Sequence, residues 1–561
     1  MSFGGFAFSE YGYSEAVDTP LDSDDFRAFL EDVGAARCWL LEIDAFSLAS
    51  VTARSSAFGE TAFAELGFAD GDVAVAGSTH TLRYSTHGFV SKLYTGGVAG
   101  GDADAPYWYD GRLTDQIRID RRITSRSGLG GLATVFAELE LLNGDGGLDE
   151  IPGNYVLEGR RAQLYLGRPT DLRADFGLAF SGVVAKAQIG IRSARLTLSD
   201  GMAKLERAAN PNLYAGSGGS EGGTDLTGKH KPKCWGSVQN VSPPLVNSAT
   251  LLYQVNDGAI SDVPAAYDRG VALTKVGGVP GAGEYSVDTS AGTITLGATP
   301  AGTVTCDILG DASGAGYVNT VSDICLRLFS LAGLTTSEID STSFANLETV
   351  QSAAVGVWVG TEYRSIADVL DELLAGIGAF GGFSRTGAFG ARVIGAGSGI
   401  TPDESYTEEH ILDLEREPLP GPVEPIVWRV AVGYQRNYTV QKDLAASVAA
   451  ARRTFAAEAE RLSKQEDSSV QSRHLLAREY AVHGGFAAAA DADTEVARLS
   501  ALWSVQRSQY RVRLPIAALL ADIGEVVEIE HSRFRFTPAR SGRVLAHALQ
   551  ANGEVEIRVL V

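Results

Sequence analysis

Few residues in this chain have both the type and the spacing that catalysis or metal binding requires. The sequence of 561 residues contains four cysteines, Cys38, Cys234, Cys306 and Cys325. No two of them form a CxxC pair, so we expect neither a zinc ribbon nor a redox dithiol. Free cysteine is among the most buried residue types, and we predict four small buried side chains. An iron–sulfur site assembled from all four is the alternative.

Two short segments have the composition of binding loops. Residues 143–149 (NGDGGLD) resemble a calcium loop, but they lack the third spaced ligand and the bidentate glutamate that such a loop needs. We therefore predict a turn, in which Asn, Asp and Gly occupy left-handed positions. Residues 229–236 (KHKPKCWG) form the densest basic cluster in the chain. This cluster indicates either a groove that binds an anionic partner or a solvated segment that enters the next domain.

Two further candidate sites consist of carboxylate or aromatic side chains. Asp371 and Glu372 are adjacent in a predicted helix, so they point to different sides and indicate a solvated face rather than a catalytic pair. Tyr107, Trp108 and Tyr109 could form a stacking platform for a sugar, or they could belong to a core or an interface.

The sequence contains none of the common catalytic motifs. We find no GxSxG elbow, HExxH helix or P-loop, and no GxGxxG after a strand. His230 precedes Cys234 by four residues, but Pro232 disfavours the helix that would bring the thiol and the imidazole together. The eight histidines are too scattered for a metal triad. We predict no catalytic, cofactor-binding or metal-binding residues and no enzyme, with a hydrolase that uses two carboxylates across a cleft as the alternative.

Composition narrows the classes of function. Lys and Arg number 47 against 69 Asp and Glu, which gives a formal net charge of −22. Nucleic acids and anionic membranes are bound by clusters of Lys and Arg side chains. Because acidic residues outnumber basic ones in this chain, we expect neither nucleic acid nor a membrane surface to be the main partner. The first 26 residues lack the basic and apolar regions of a signal peptide, and no run of 18 apolar residues predicts a membrane span. The few cysteines suit folding in a reducing cytosol.

Hydrophobic periodicity predicts an α+β, β-rich multidomain fold. The expected units are an N-terminal arm at 1–34, a β-rich barrel-like domain at 35–228, a β module at 229–315, an α/β domain with two short helices at 316–400, a linker at 401–425 and a helix-containing closing β-barrel domain at 426–561. The aromatic side chains of the arm are expected to clip onto a neighbouring subunit or to fold over the chain's own domain.

Two helices have clear end signals. Residues 321–332 (VSDICLRLFSLA) place Ile324, Leu328 and Leu331 on one stripe, and Gly333 follows in the position of a C-cap. Ser365 is a favourable N-cap for the second helix.

The last part of the chain is predicted to contain helices followed by strands. Residues 441–505 are expected to be largely helical, because Arg and Glu repeat through 452–466 at spacings that favour i,i+4 pairs. Three strands are expected in 525–531, 541–547 and 555–561, with a hairpin turn at Asn552-Gly553 and the last strand tied into a sheet.

An ordered set of segments resembles the baseplate hub, or tail tip, proteins of long-tailed, siphovirus-like bacteriophages, including the hub component of gene transfer agents. The resemblance covers about the last 330 residues well and the first 230 more loosely. The segments are 231–241 (KPKCWGSVQNV) with 251–274, 316–334 (GYVNTVSDICLRLFSLAGL) with 344–349, 360–394, and 433–462 with the closing strands.

The resemblance implies a multidomain, β-rich ring subunit that forms a homotrimer at the distal end of the tail. Such a hub joins distal tail or tube ring proteins to tail fibre or receptor-binding proteins, holds the tape-measure protein, and forms part of the DNA exit channel. It implies a virion protein assembled in the host cytoplasm, DNA only in transit, no membrane anchor, and no catalytic residue or cofactor. A tail-associated cell-wall hydrolase and a carbohydrate-binding tip adhesin are the alternative functions.

Overall fold

The structure, a computed structural model, describes residues 24–32, 34–48, 77–91, 108–123, 130–314 and 316–561. The predicted α+β, β-rich class is confirmed, with several separate sheets and intervening helices. The first third of the chain contains α1 Asp24–Glu31, β1 Cys38–Ser47, β2 Thr79–Ser85, β3 Phe89–Val90, β4 Trp108–Tyr109, β5 Arg118–Arg122, β6 Gly131–Leu132, β7 Thr134–Leu142, α2 Ile151–Asn154, β8 Tyr155–Val156, β9 Arg161–Gly167, β10 Gly177–Ile189, β11 Ser193–Ser199 and α3 Met202–Leu205.

Short strands and three helices make up the middle of the chain. They are β12 Lys233–Val241, β13 Leu245–Asn247, β14 Leu252–Gln254, β15 Ile260–Asp268, β16 Val271–Ala272, β17 Thr274–Lys275, β18 Glu284–Asp288, β19 Thr293–Leu296, β20 Val304–Asp311, α4 Val321–Ala332, α5 Ser341–Val350, β21 Gly356–Val359, α6 Ile366–Gly376, β22 Ala379–Phe383 and β23 Phe389–Val393.

Strands and helices alternate in the last part, and strands end it. The elements are β24 Glu404–Tyr406, β25 Asp413–Glu417, β26 Val427–Tyr434, α7 Ala450–Ala457, β27 Arg461–Glu466, α8 Ser468–Arg473, β28 Arg478–Phe486, α9 Ala489–Trp503, β29 Gln509–Leu514, β30 Val526–His531, β31 Phe536–Leu549 and β32 Val555–Leu560.

One sheet of fourteen described strands joins the first and last parts of the chain. Its main path runs β2-β1-β9-β10-β11-β7-β5-β31-β32-β29-β25, and β5 pairs antiparallel with β31. Alternating burial along strands such as β11 places one row of side chains in the core, as half-buried strands require. The path has two free ends, so these fourteen strands form no closed barrel. The short apolar segment at 73–75 also predicts a strand, and it lies outside the described residues.

The backbones of β12 and β21 approach each other closely at Gly236. This residue lies in β12 with φ +69°, and β12 pairs with β21. A Cβ atom at Gly236 would overlap the backbone carbonyl of Val355. Left-handed φ and close backbone approach both favour glycine at this position.

We expect Gly236→Ala to destabilise the protein by about 2–3 kcal/mol, because a β-carbon adds backbone strain and overpacking. Gly277→Ala is the matched control, since Gly277 faces open space. Calorimetry of both variants measures the difference, and equal thermal midpoints would contradict the prediction.

The two predicted helix signals are confirmed. The Thr320 side chain caps α4 by accepting the N–H of Asp323, and Gly333 ends the helix with φ +76°. Ser365 and Asp368 form a capping box at α6. Ile324 and Leu328 of the predicted stripe are buried, whereas Leu331 is 38% exposed.

The prediction of a largely helical 441–505 is wrong for two segments. Arg461–Glu466 and Arg478–Phe486 are β27 and β28, which flank β26 in a three-stranded sheet. Pairing with β26 supplies backbone hydrogen bonds to both segments, and such tertiary contacts override helix propensity. Three helices remain in this region, α7, α8 and α9.

The closing strands agree with the sequence pattern. β30, β31 and β32 overlap all three predicted segments, and β32 pairs with both β29 and β31. The predicted turn at Asn552-Gly553 joins β31 to β32, with Gly553 at φ +81°.

Helix α1 packs on the chain's own closing region. Arg27 forms two hydrogen bonds of 2.8 Å with the Glu404 carboxylate, and Phe26, Phe29 and Leu30 are buried. For residues 24–31, the structure therefore agrees with an arm folded over its own chain. The aromatic residues at positions 3–13 lie outside the described residues.

Candidate functional site

Several buried ionisable groups meet where three parts of the chain converge. Arg121, on β5, is only 1% exposed, and its Nη2 atom pairs with the Asp522 carboxylate. His547, on β31, lies opposite Arg121 in the antiparallel register and is fully buried. Arg385, in the turn between β22 and β23, donates from Nη1 to the carbonyl of Leu519. We call these four residues and the nearby Asp200 the junction cluster.

Burial sets the protonation of His547. Its Nε2 lies 3.1 Å from the carbonyl oxygen of Ala518, so Nε2–H donates and Nδ1 carries the lone pair. Burial, together with the positive charges of Arg121 and Arg385, lowers the pKa of His547 to about 3. The imidazole is therefore neutral across the physiological pH range.

The two carboxylates of the junction cluster are shifted in opposite directions. Burial would raise the pKa of Asp522, but Arg121 and Arg385 outweigh it and the pKa lies below its ordinary value. Burial raises the pKa of Asp200 to about 7, because the opposing stabilisation by Arg121 and by backbone N–H groups is smaller. Asp522 is therefore a permanent anion, whereas Asp200 titrates near neutral pH.

The geometry of the junction cluster favours a structural role. Asp200 is 2% exposed, so a substrate cannot reach the one carboxyl group whose pKa suits proton transfer. The ion pair of Arg121 and Asp522 instead joins β5 to the segment before β30. Sequence reasoning missed this cluster because its members lie in distant parts of the chain. An arginine at an inward position of a strand was the only available signal.

The four cysteines are buried free thiols, as the sequence predicted. Burial raises the pKa of each of them, most strongly for Cys234 and Cys306. Only the thiolate is an effective nucleophile, so these thiols should be inert in the folded protein.

We expect iodoacetamide at pH 8 to leave all four cysteines unmodified while the protein is folded. The same reagent in concentrated urea should label every one, because unfolding removes the burial that suppresses the thiolate. Intact-mass spectrometry distinguishes the two states. Rapid labelling of even one thiol in the folded protein would contradict the prediction.

The loop at 143–149 is a turn, as predicted. The Asn143 side chain accepts the N–H of Leu148 and donates to Asp149, each at 2.8 Å. Asp145 pairs with Arg112 at 2.5 Å. Across the described residues, no group of three His, Cys, Asp or Glu side chains is arranged to hold a metal ion.

The basic cluster at 229–236 is held by contacts within the chain. Lys231 pairs with Glu221 at 2.7 Å, and Lys233 donates to the carbonyl of Asp257. The His230 ring contacts the carbonyl of Asn210 at 2.5 Å. Two of its three lysines therefore contact other residues of the same chain. This favours a segment that leads into the next strands over a groove for an anionic partner.

Asp371 and Glu372 are structural carboxylates rather than a solvated pair. Asp371 accepts the N–H of Leu132 at 2.9 Å and so holds β6. Glu372 pairs with Arg436 at 2.6 Å and also with Arg364. Both side chains are half-buried, so the prediction of a solvated face is wrong. They do contact different partners, as predicted.

The aromatic cluster at 107–109 divides between core and surface. Tyr109 is buried against Phe89 with ring centroids 5.6 Å apart, whereas Trp108 is 41% exposed. Tyr107 lies outside the described residues. A sugar-stacking platform formed by Trp108 and Tyr109 together is therefore not present.

Comparisons with known proteins identify no sequence family. No family model and no curated protein matches the chain. Among solved structures, it aligns with a tail protein from Neisseria meningitidis at 9% identity, covering 80% of this chain and 92% of the other, with a TM-score of 0.38. A prophage tail protein from Shewanella oneidensis aligns at 8% identity, 81% and 95% coverage, and a TM-score of 0.36.

A third solved structure, a prophage tail protein from Listeria monocytogenes, aligns at 7% identity, covering 82% of this chain and 91% of the other, with a TM-score of 0.30. TM-scores below 0.5 do not establish a common fold, so the function is inferred from the chain's own residues. Within the part of the chain that is described, no helix has the length and apolarity to cross a membrane.

Proposed function

We propose that this chain is a structural protein of a bacteriophage virion, the baseplate hub at the distal end of a siphovirus-like tail. In this role it joins the tail tube to the tip or fibre proteins and forms part of the DNA exit channel. The ordered segments between residues 231 and 462, and the closing strands after them, support the proposal through their resemblance to such hubs.

The pairing of β5 with β31 is the observation that carries the proposal. Residues 119–122 hydrogen-bond to residues 546–549, so the first and last β regions share one sheet. Domains connected only by linkers move relative to one another, whereas a shared sheet fixes their geometry. A component that bears load between a tail tube and its tip requires such a rigid frame.

The proposed assembly is a homotrimer that contacts distal tail or tube ring proteins, the tape-measure protein and tail fibre or receptor-binding proteins. DNA is a passing cargo rather than a ligand. The net charge of −22 supports this role, because a negatively charged channel repels the phosphate backbone and prevents adhesion.

Quantitative mass spectrometry of purified phage particles, scaled to the major capsid protein, tests the proposal. About three copies per particle are expected for a trimeric hub, since closed cyclic symmetry fixes a small copy number. Absence from particles would overturn the proposal. A count of many dozens would instead assign the chain to the tail tube.

A further inference from the structure

An acidic groove lies between the two β regions that the main sheet joins. The cavity has a volume of about 750 Å³ and is lined by the end of α1, the start of β1, the approach to β5 and the β31–β32 hairpin. Its apolar floor includes Trp39, Ile117, Ile516 and Leu549, and the exposed Leu412 lies at its side. A floor of this kind accepts an apolar side chain from a partner.

Carboxylates surround this floor. Glu31, Asp115, Glu409 and Glu554 all line the groove. The carboxylate of Glu554 lies 3.6 Å from Arg513, and that of Glu31 interacts electrostatically with Arg27. Among the described residues that line the groove, Arg37 is the one arginine or lysine, and its guanidinium donates to the carbonyl of Asp32 at 3.2 Å. The groove is therefore suited to an apolar side chain with positive charges on either side.

The β30–β31 hairpin carries such a group at its tip. Arg533, Phe534 and Arg535 are consecutive and exposed, and Phe534 is 41% exposed with its ring centroid 5.7 Å from that of Tyr510. Neither arginine forms a salt bridge within the described residues. Phe534 and Arg535 have φ values of +56° and +63°.

The backbone of this tip is strained. Turns with two left-handed central residues usually contain Asn and Gly, because bulky side chains disfavour this conformation. A Phe-Arg pair in these positions presents a large aromatic ring and a cation at an energetic cost. Strain of this kind clusters at functional sites such as ligand clamps and switch regions.

We propose that the hairpin tip of one copy of this chain docks into the acidic groove of a second copy. Phe534 occupies the apolar floor, and Arg533 and Arg535 pair with the groove carboxylates. Glu409 lines the groove and also the surface beside His531 and Ser532 at the hairpin base. The tip and the groove are therefore neighbours on one molecule, and contacts that repeat from copy to copy can close a ring.

The proposed contact rests on the homotrimer included in the proposed function and names the residues that form it. The two proposals fail separately, because self-association is measured on the purified chain, whereas a position in the tail is measured on particles. A chain that associates through this contact but is absent from virions would disprove the hub and leave the contact intact.

Sedimentation velocity over a concentration series of the full chain tests the contact. The wild-type chain should form oligomers, and Arg533→Glu/Arg535→Glu should raise the dissociation constant at least about tenfold, since it places glutamates against the groove carboxylates and like charges across an interface repel. Arg473→Glu/Arg478→Glu changes two other exposed arginines and should have no effect. High salt should weaken the wild-type association by screening.

A charge exchange separates loss of the contact from loss of folding. Glu31→Lys/Asp115→Lys/Glu409→Lys should likewise associate more weakly than the wild-type chain. Its equal mixture with Arg533→Glu/Arg535→Glu should form mixed pairs, because each tip then meets a complementary groove on the other variant, although a ring of three would still contain one repulsive contact. The proposal would be overturned if the wild-type chain stayed monomeric, if the tip substitutions left its association unchanged, or if the mixture stayed monomeric.

Discussion

Arg121→Met is expected to lower the free energy of unfolding by about 3–5 kcal/mol, because it leaves the Asp522 carboxylate buried without its cationic partner. Arg121 is 1% exposed and its guanidinium bonds directly to Asp522. The loss should be visible in the calorimetric transition of the main sheet, since β5 and β31 meet at this point.

Two further variants make this expectation specific. Arg118→Met, on the same strand, should change the free energy by less than about 0.5 kcal/mol, as is usual for surface substitutions. Arg122 would still pair with Asp120 at 2.7 Å in that variant. Arg121→Met/Asp522→Asn removes both charges and should recover much of the lost stability. A double variant as unstable as Arg121→Met would show that packing, rather than charge, fixes the junction.

Asp200 should make the protein less stable as pH rises from 4.5 to 8, by about 3 kcal/mol relative to Asp200→Asn, since each pKa unit corresponds to roughly 1.4 kcal/mol. Burial raises the folded pKa of this carboxyl group to about 7, well above its usual range. Between the unfolded pKa of about 3.9 and the folded pKa, the folded state holds a proton that the unfolded state releases. The stabilisation is therefore complete below the unfolded pKa and is lost as pH rises through the folded pKa.

Thermal unfolding of both proteins across this pH range measures the effect. His547 acts in the opposite direction, because its lowered pKa makes acidification costly for the folded state. The variant keeps His547, Arg121 and Asp522, so the difference between the two curves isolates Asp200. Parallel curves would contradict the assigned pKa shift.

Local signals were enough to predict several elements of the fold. The cap at Ser365 and the glycine at 333 depend only on nearby backbone groups, and the sequence contains them directly. The same holds for the turn at Asn552-Gly553, whose residue types suit left-handed conformations. Short-range chemistry thus predicted helix ends, a hairpin and the closing strands.

Long-range contacts were not predictable from the same patterns. Arg461–Glu466 has a helix-like composition, and only its pairing with β26 makes it a strand. The junction cluster likewise depends on which distant segments meet, because Arg121, Arg385 and Asp522 have no sequence relation to one another. The candidate site therefore emerged only from the structure, whereas the buried cysteines followed from residue type alone.

The partnership of β5 and β31 also has a consequence for biosynthesis. Arg122 and its partner Ala546 are 424 residues apart in the chain. At a translation rate of about 5–20 residues per second, the β5 edge leaves the ribosome roughly 20–85 s before its partner strand exists. An unpaired edge is a template for aggregation, and such non-local pairing also slows folding. Early synthesis therefore passes through a vulnerable interval in which chaperone protection of the nascent chain would matter most.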